Sequence, residues 1–176
     1  LLLKDEEVNN VLVGGIDGGI GNNIQIQSVG YASNKFYAYE QVYDEDGNPI
    51  EGEYVDQNND SIINADDLIY GKNPTPDFYA GFYTSFRYKK WTVGFSLRGE
   101  FGKYMYNNIA STRGVYQNIP SSSYMQNLTA DYLESEFQTY QILSDYYIES
   151  ASFVRMDNLS IGYDVGKVFN DNASLT

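Results

Sequence analysis

The sequence predicts an all-β fold in which antiparallel strands form part of a transmembrane β-barrel. Three observations lead to this prediction. The side chains of segments 78–88 and 91–101 alternate strictly between an apolar face and a more polar face, aromatic residues crowd the ends of these segments, and long polar segments lie between the strand-like runs. Strands of soluble proteins are typically about 5–6 residues long, whereas a tilted strand needs roughly 9–11 residues to cross a bilayer. Segment length therefore favours membrane strands.

The segment from Phe78 to Phe101 predicts a β-hairpin. Its side chains alternate on both sides of a short polar break at Lys89–Lys90, which is the pattern of two strands joined by a tight turn. A soluble sandwich with one buried face produces the same alternation, but strand length and aromatic ends favour the barrel. The predicted apolar face comprises Phe78, Ala80, Phe82, Thr84, Phe86, Tyr88, Trp91, Val93, Phe95, Leu97, Gly99 and Phe101.

The chain before the hairpin is Gly-rich and strand-like in pieces. Val11–Gly21 is interpreted as a flexible turn region, Ile24–Gln27 alternates with period two, and Phe36–Tyr43 is an aromatic, β-prone run. Segment 44–77, which is rich in Asp, Glu and Asn, is predicted to be an acidic loop.

After the hairpin, segment 103–144 is predicted to be a long polar loop with a short helix around Thr129–Gln138. Strand character returns at Tyr146–Val165, where apolar and polar residues alternate again. The chain thus offers about four to six strand candidates, whereas a closed bacterial barrel needs at least about eight. The sequence therefore predicts a part of a barrel.

Composition excludes several classes of function. The formal net charge is -13, and the few Lys and Arg residues are scattered, so nucleic acid is a poor partner. The chain has no Cys and no His, which excludes thiol catalysis, imidazole bases and zinc sites built from these residues. No apolar run is long enough for a transmembrane helix.

The acidic segment contains oxygen-bearing residues with the spacing of an EF-hand calcium loop. Loop positions 1, 3, 5, 9 and 12 carry oxygen side chains, and position 7 offers a backbone carbonyl. Ser61 replaces the usual turn glycine, Asp67 replaces the bidentate glutamate, and no flanking helix pair is evident. A structural Ca²⁺ site competes here with a solvated acidic turn. The candidate ligands are Asp56, Asn58, Asp60, Ile62, Asn64 and Asp67.

Several segments together resemble the late barrel of SusC/RagA-type TonB-dependent transporters of Bacteroidetes. They are the acidic loop from Asp56, Gly71-Lys-Asn-Pro-Thr-Pro-Asp-Phe, the alternating hairpin, Gly102-Lys-Tyr-Met-Tyr-Asn, and the run from Ser144 to Tyr163 that contains Ser-Phe-Val-Arg-Met-Asp-Asn-Leu-Ser-Ile-Gly-Tyr. The likeness extends over roughly Val8–Val165.

This resemblance implies a 22-stranded barrel in the complete protein, located in the cell outer membrane and energised through TonB. It also implies a SusD-like surface lipoprotein as partner and an oligosaccharide, less often a peptide, as cargo. The plug domain and the terminal barrel strands are expected to lie outside residues 1–176. The chain alone should therefore transport nothing.

The same resemblance implies an orientation for the hairpin. The Lys89–Lys90 turn is expected to be periplasmic, segments 44–77 and 103–144 to be extracellular, and the apolar face to meet lipid. Tyrosines of the second loop are candidates for stacking on sugar rings, namely Tyr104, Tyr106, Tyr116 and Tyr124. Residues expected to line the lumen are Tyr79, Tyr83, Arg87, Arg98 and Glu100.

Two other functions compete with the transporter interpretation. A soluble, secreted calcium-binding β-module, either an adhesin or a carbohydrate-binding domain, would use the same acidic loop and hairpin. A hydrolase with a carboxylate pair is less favoured, because nothing singles out two of the many acidic residues. The sequence thus predicts a protein that is not an enzyme.

Overall fold

Two compact units divide the chain. The computed structural model describes residues 11–15, 23–121, 127–141, 143–168 and 173–175. The loop unit comprises Leu1–Thr75 and Tyr104–Ser150, and the sheet unit comprises Pro76–Lys103 and Ala151–Thr176. Each unit contains two stretches of chain, because the hairpin interrupts the loop unit.

Most of the regular structure consists of short and long strands, and every strand pair within the described residues is antiparallel. The strands are β1 (Val11–Gly15), β2 (Asn23–Gln27), β3 (Lys35–Ala38), β4 (Gln41–Tyr43), β5 (Pro49–Tyr54), β6 (Ile69–Tyr70), β7 (Phe78–Tyr88), β8 (Trp91–Phe101), β9 (Tyr104–Tyr106), β10 (Ile148–Ser150), β11 (Phe153–Tyr163), β12 (Gly166–Val168) and β13 (Ala173–Leu175). The helices are α1 (Asn108–Arg113), α2 (Asn118–Ser121) and α3 (Tyr132–Ser135), with 3₁₀ turns at Ala65–Asp67 and Asp145–Tyr147.

The sheet unit is built on the predicted hairpin. Strands β7, β8 and β11 form a three-stranded sheet in the order β11-β8-β7, and each is 11 residues long. Strands β7 and β8 pair without a register shift from Phe78↔Phe101 to Tyr88↔Trp91, so the two-residue turn is Lys89–Lys90. Lys89 adopts a positive φ of 53°, as a tight hairpin turn requires. The hairpin prediction is confirmed at both ends and at the turn.

Strand β11 contains one irregularity, between Met156 and Asn158. Two residues of β11 there advance past one residue of β8, which leaves Asp157 outside the ladder as in a β-bulge. The bulge keeps the apolar residues on one face, because Met156 pairs with Leu97 and Leu159 pairs with Phe95.

The loop unit has a first core under the sheet β1-β2-β3-β6. Side chains of β2 and β3 alternate between buried and half-buried, which is the period expected for strands with one covered face. The buried members are Ile24, Ile26, Phe36 and Ala38. Tyr104 and Ile148 pack against this core from the second half of the unit.

A second core is built mainly by the segment predicted to be a long loop, with Tyr147 added from just beyond its end. Ala110, Val115, Phe137 and Tyr147 are at most 1% exposed and form one cluster. Helix α1 supplies Ala110 and is capped by Asn107, whose side chain accepts a hydrogen bond from the Ala110 N–H. The segment is therefore folded structure with its own hydrophobic core.

Side-chain hydrogen bonds hold the two predicted loops together. The Glu51 carboxylate accepts the N–H groups of Gln138 and Thr139 at 3.1 and 2.8 Å, and the Thr139 hydroxyl at 2.5 Å. The buried Gln141 side chain accepts the Gly52 N–H at 2.7 Å. The acidic β4–β5 hairpin thus packs against the end of the second loop.

A buried polar network fixes the same arrangement near β4. The Gln41 side chain donates to the carbonyls of Ile50 and Glu53 at 2.6 and 3.0 Å and accepts from the Ser144 hydroxyl at 2.8 Å. The Gln41 N–H donates to Asp145 at 2.9 Å. Gln41 and Ser144 are 3% and 0% exposed, so these bonds satisfy groups that water cannot reach.

Several sequence expectations need correction. Val11–Gly15, taken as part of a turn region, is a strand that pairs with β2, while residues 16–21 lie outside the described residues. The helix expected over Thr129–Gln138 forms only at Tyr132–Ser135. The strand expected over Tyr146–Val165 is divided into a 3₁₀ turn, β10 and β11. The described residues contain more strands than the expected four to six, because several are too short to give a periodic signal.

Candidate functional site

The three-stranded sheet has one continuous apolar face that nothing in the described residues covers. Phe86 is 65% exposed, Phe82 is 56% exposed and Trp91 is 51% exposed. In a two-sheet sandwich these side chains would pack against a second sheet, and the described residues provide none. The strand β11 extends the same face with Val154, Met156, Leu159, Ile161 and Tyr163, which are 42–63% exposed.

The dimensions of this apolar face match a bilayer. Eleven residues span ten steps of roughly 3.4 Å, or about 34 Å along the strand. A strand tilted by about 45° covers about 24 Å of depth, close to the apolar band of about 25 Å in outer-membrane barrels. All three strands have this length, so the whole face is one bilayer deep.

Aromatic pairs mark both ends of the apolar face. At one end, the rings of Phe78 and Phe101 stack with centroids 4.6 Å apart. At the other end, Trp91 and Tyr163 lie 4.7 Å apart, next to the basic Lys89–Lys90 turn. Aromatic rings at both interfaces are typical of membrane barrels. Within the described residues, no helix is long and apolar enough to cross a membrane.

The opposite face of the sheet is polar. On this face, residues that are register partners across β7, β8 and β11 form five rows. In the order β7, β8, β11 the rows are Tyr79, Glu100 and Phe153; Gly81, Arg98 and Arg155; Tyr83, Ser96 and Asn158; Ser85, Gly94 and Ser160; and Arg87, Thr92 and Gly162. Asp157 from the bulge forms ion pairs with Arg155 at 3.0 Å and Arg98 at 3.5 Å, and Glu100 pairs with Lys103 at 3.0 Å. All five residues predicted to line the lumen lie on this face.

The acidic loop forms a compact turn around its first aspartate. The Asp56 carboxylate accepts the N–H groups of Asn59 at 2.7 Å and Ser61 at 2.7 Å. Asn58 accepts the Asp60 N–H at 2.9 Å, and Asp60 accepts the Ile62 N–H at 2.8 Å. These side chains therefore lie in one turn.

Asp67 anchors the far end of that loop. Its carboxylate is fully buried and accepts the N–H groups of Asn64 at 2.8 Å and Gln57 at 2.9 Å. These N–H groups, with Asn64 foremost, hold the pKa of Asp67 below its usual value. In the described part of the chain, no group of three or more acidic side chains is close enough to hold a metal ion.

The four candidate tyrosines lie in different environments. Tyr104 is half-buried, with the Lys72 ammonium 5.3 Å from its ring centre. Tyr106 packs between the two cores, its ring edge-on to Tyr147, and burial raises its pKa to about 12. Tyr116 is 47% exposed, and Tyr124 lies outside the described residues. Among the described three, Tyr116 presents the most accessible ring.

Comparison with known proteins decides the family. No protein-family model matches the chain. It is 38% identical over 151 residues to the TonB-dependent receptor SusC of Bacteroides thetaiotaomicron, an alignment that covers 81% of this chain and 15% of that receptor. It is 29% identical over 173 residues to the TonB-dependent receptor P3 of Formosa agariphila, covering 82% of this chain and 16% of that receptor.

The chain belongs to the SusC-like TonB-dependent receptors. It spans about 15% of the length of the curated relatives that it matches, so it corresponds to a segment of such a receptor. The mostly antiparallel strands agree with an all-β part of the receptor barrel, as the sequence predicted.

Sequence reasoning missed two polar-face residues of this receptor segment, Arg155 and Asp157. A signal for them is present: Met156-Asp-Asn-Leu159 places two polar residues between apolar ones and breaks the strict alternation. Such a break within a long strand is the signature of a bulge, which re-aims one side chain. Here it brings Asp157 between two arginines.

Proposed function

We propose that this segment forms part of the barrel wall of an outer-membrane active transporter driven by TonB. The exposed apolar face of β7, β8 and β11, backed by a polar face, is the observation that carries the proposal. A sheet of this kind is stable when one face meets lipid and the other meets a water-filled lumen. The similarity to TonB-dependent receptors supports the same assignment.

The orientation in the membrane follows from the turn and the loops. The two-residue Lys89–Lys90 turn suits the periplasmic side, where barrel turns are short. The loop unit, with its two cores, suits the extracellular side, where barrels carry their long connections. The complete protein would close a barrel of 22 strands with strands outside this segment.

The proposed cargo is an oligosaccharide, with a peptide as the second choice, and the proposed partners are TonB and a SusD-like surface lipoprotein. Exposed aromatic rings of the loop unit, Tyr116 above all, are suited to contact sugar rings at the outer face. The segment contributes to binding and passage and carries out no reaction on the cargo.

Uptake by cells that carry the full-length receptor tests this function. Labelled oligosaccharides and peptides are supplied to wild-type cells, to cells without the receptor and to cells without TonB. We expect one class of cargo to accumulate only when both the receptor and TonB are present. Accumulation that is equal in all three strains, for every cargo supplied, would contradict the proposal.

We also propose that the acidic loop binds Ca²⁺ in a structural role. Asp67 accepts the N–H of Gln57, the residue next to Asp56, so both carboxylates belong to the same end of the loop, where a cation would offset their like charges. The Asn58, Asp60 and Asn64 side chains and the Ile62 carbonyl would close in to complete the ligand set, since no three acidic side chains among the described residues are already grouped. Asp60→Ala should abolish the Ca²⁺-dependent increase in melting temperature of the full-length receptor. Asp46→Ala, an exposed acidic residue of the neighbouring turn, is the matched control and should keep it.

A further inference from the structure

The polar face of the sheet is cationic although the chain as a whole is strongly acidic. The formal net charge of the chain is -13, yet the three polar-face rows that carry charge contain Arg87, Arg98 and Arg155. Glu100 on this face is already neutralised by Lys103, so Asp157 is the one carboxylate left there, among the described residues, to balance three guanidinium groups.

Two of these arginines lie side by side. Arg98 and Arg155 are direct register partners across β8 and β11, where like charges oppose each other unfavourably. The bulge places Asp157 against both: one carboxylate oxygen accepts a hydrogen bond from Arg155 Nε at 3.0 Å, and the other forms an ion pair with Arg98 Nε at 3.5 Å. One negative charge therefore holds two positive charges in place and leaves one positive charge in excess.

The free hydrogen-bond donors of the pair point to a ligand. Both contacts to Asp157 use Nε, so the terminal nitrogens of Arg98 and Arg155 have no hydrogen-bond partner among the described residues. The two side chains are 45% and 60% exposed. A planar guanidinium fork with unused donors matches the geometry of a carboxylate or sulfate group.

Open space adjoins Arg98 on β7. Its register partner there is Gly81, and a Cβ added at Gly81 would meet no atom within 4 Å. Tyr79 and Tyr83 flank this gap on the same face, about 13 Å apart along the strand, and are 70% and 75% exposed. The gap thus has aromatic walls that suit a sugar ring and cationic donors at its side.

We propose that Arg98 and Arg155, held by Asp157, form a subsite for an acidic group, a carboxylate or a sulfate ester, on an oligosaccharide cargo. This inference rests on the proposed transport function and narrows it to anionic glycans. Tyr79 and Tyr83 contact the sugar ring that carries the acidic group, and the guanidinium groups bind its oxyanion.

Binding of charge-matched oligosaccharides to the purified full-length receptor tests the subsite. The probes are an oligogalacturonate and its methyl ester, and a sulfated oligosaccharide and its desulfated form. We expect the wild-type receptor to prefer at least one acidic probe over its neutral counterpart. Arg98→Gln and Arg155→Gln should each lower the affinity for that acidic probe about ten-fold or more, because each removes charge-assisted hydrogen bonds to its acidic group. Arg98→Lys, which keeps the charge but loses the fork, should lose part of this affinity.

Arg87→Gln is the matched control, because Arg87 lies on the same face, is exposed, and has no ion pair within the described residues. It should change affinity for the acidic probes by less than about two-fold at physiological salt, where the Debye length is about 8 Å. Equal losses for acidic and neutral probes in the Arg98 and Arg155 variants would overturn the subsite. So would oligosaccharide binding that is indifferent to acidic groups, although the transport function would then stand. A receptor that binds and imports no oligosaccharide or peptide would remove the transport function itself.

Discussion

Replacing neighbouring residues on opposite faces of β7 tests the assignment of the two faces. Phe82 and Tyr83 are adjacent, near the middle of the strand, and both are largely exposed in the sheet, at 56% and 75%. If the apolar face meets lipid, Phe82→Arg places a charge in hydrocarbon, whereas Tyr83→Arg places the same charge in the aqueous lumen. The two variants therefore place the same charge at nearly the same depth but on opposite faces.

The expected size of the effect follows from the depth of Phe82. It lies one residue from the centre of an 11-residue strand, or about 2.4 Å from the midplane at a tilt of about 45°. An arginine at the bilayer midplane destabilises an outer-membrane barrel by about 2–4 kcal/mol. This corresponds to a loss of roughly 30-fold to several hundred-fold in the folding equilibrium. Tyr83→Arg should cost less than about 1 kcal/mol.

The measurement is guanidinium unfolding of the full-length receptor in lipid vesicles, with its folded abundance in the outer membrane as a second readout. Phe82→Arg should lower both, and Tyr83→Arg should resemble the wild type. Equal destabilisation by the two variants would refute the lipid-facing assignment, and a larger effect of Tyr83→Arg would reverse the faces.

Two further predictions concern stability. Gly102 has a φ of +73°, and an added Cβ would lie 2.0 Å from the Asp77 carboxylate, so Gly102→Ala should destabilise the sheet unit by about 2 kcal/mol or more. Gly81→Ala, in open space, should have little effect on stability. Chemical unfolding of both variants checks this prediction. Burial raises the pKa of Asp145, with a contribution from Glu40, although the hydrogen bond from the Gln41 N–H opposes this shift. The stability that Asp145 contributes is therefore present below its unfolded pKa and is lost as the pH rises through its folded pKa. Asp145→Asn should therefore melt higher than the wild type at pH 7 and equally at pH 3, and a variant that melts lower at pH 7 would contradict this explanation.

The hairpin was predictable because its signal is local. Side chains of a strand alternate with period two, so the faces of β7 and β8 follow directly from their sequence, and the Lys89–Lys90 break marks the turn. Strand length and aromatic ends then pointed to a membrane, without any need to know which residues distant in the chain are in contact.

The loop unit was not predictable in the same way, because contacts distant in sequence build it. Gln41 and Ser144 are 103 residues apart and bury each other's polar groups. Phe137 comes from a segment whose composition is polar, and it packs with Tyr147 beyond the end of that segment. Neither pair leaves a periodic pattern. A segment rich in Asn, Ser and Gln is therefore indistinguishable from a solvated loop until its partners are known.

The candidate site was predictable in part. Arg98 falls on the polar face by simple alternation, but its neighbour Asp157 lies out of phase because of the bulge. Alternation counted through Arg155 and Met156 assigns the wrong face to every later residue unless the bulge is recognised. The pairing of two arginines through one carboxylate therefore emerged only from the strand register.

Alternation between lipid and water along β7 underlies the membrane assignment, and site-directed spin labelling measures it residue by residue. Single cysteines are introduced at residues 79–87 of the full-length receptor, which is practicable in this segment because it contains no native cysteine. Labels at even positions should collide with oxygen dissolved in the lipid, and labels at odd positions with a water-soluble nickel chelate. Equal access of the chelate to both sets of positions would contradict the account, because β7 would then have no face in the membrane.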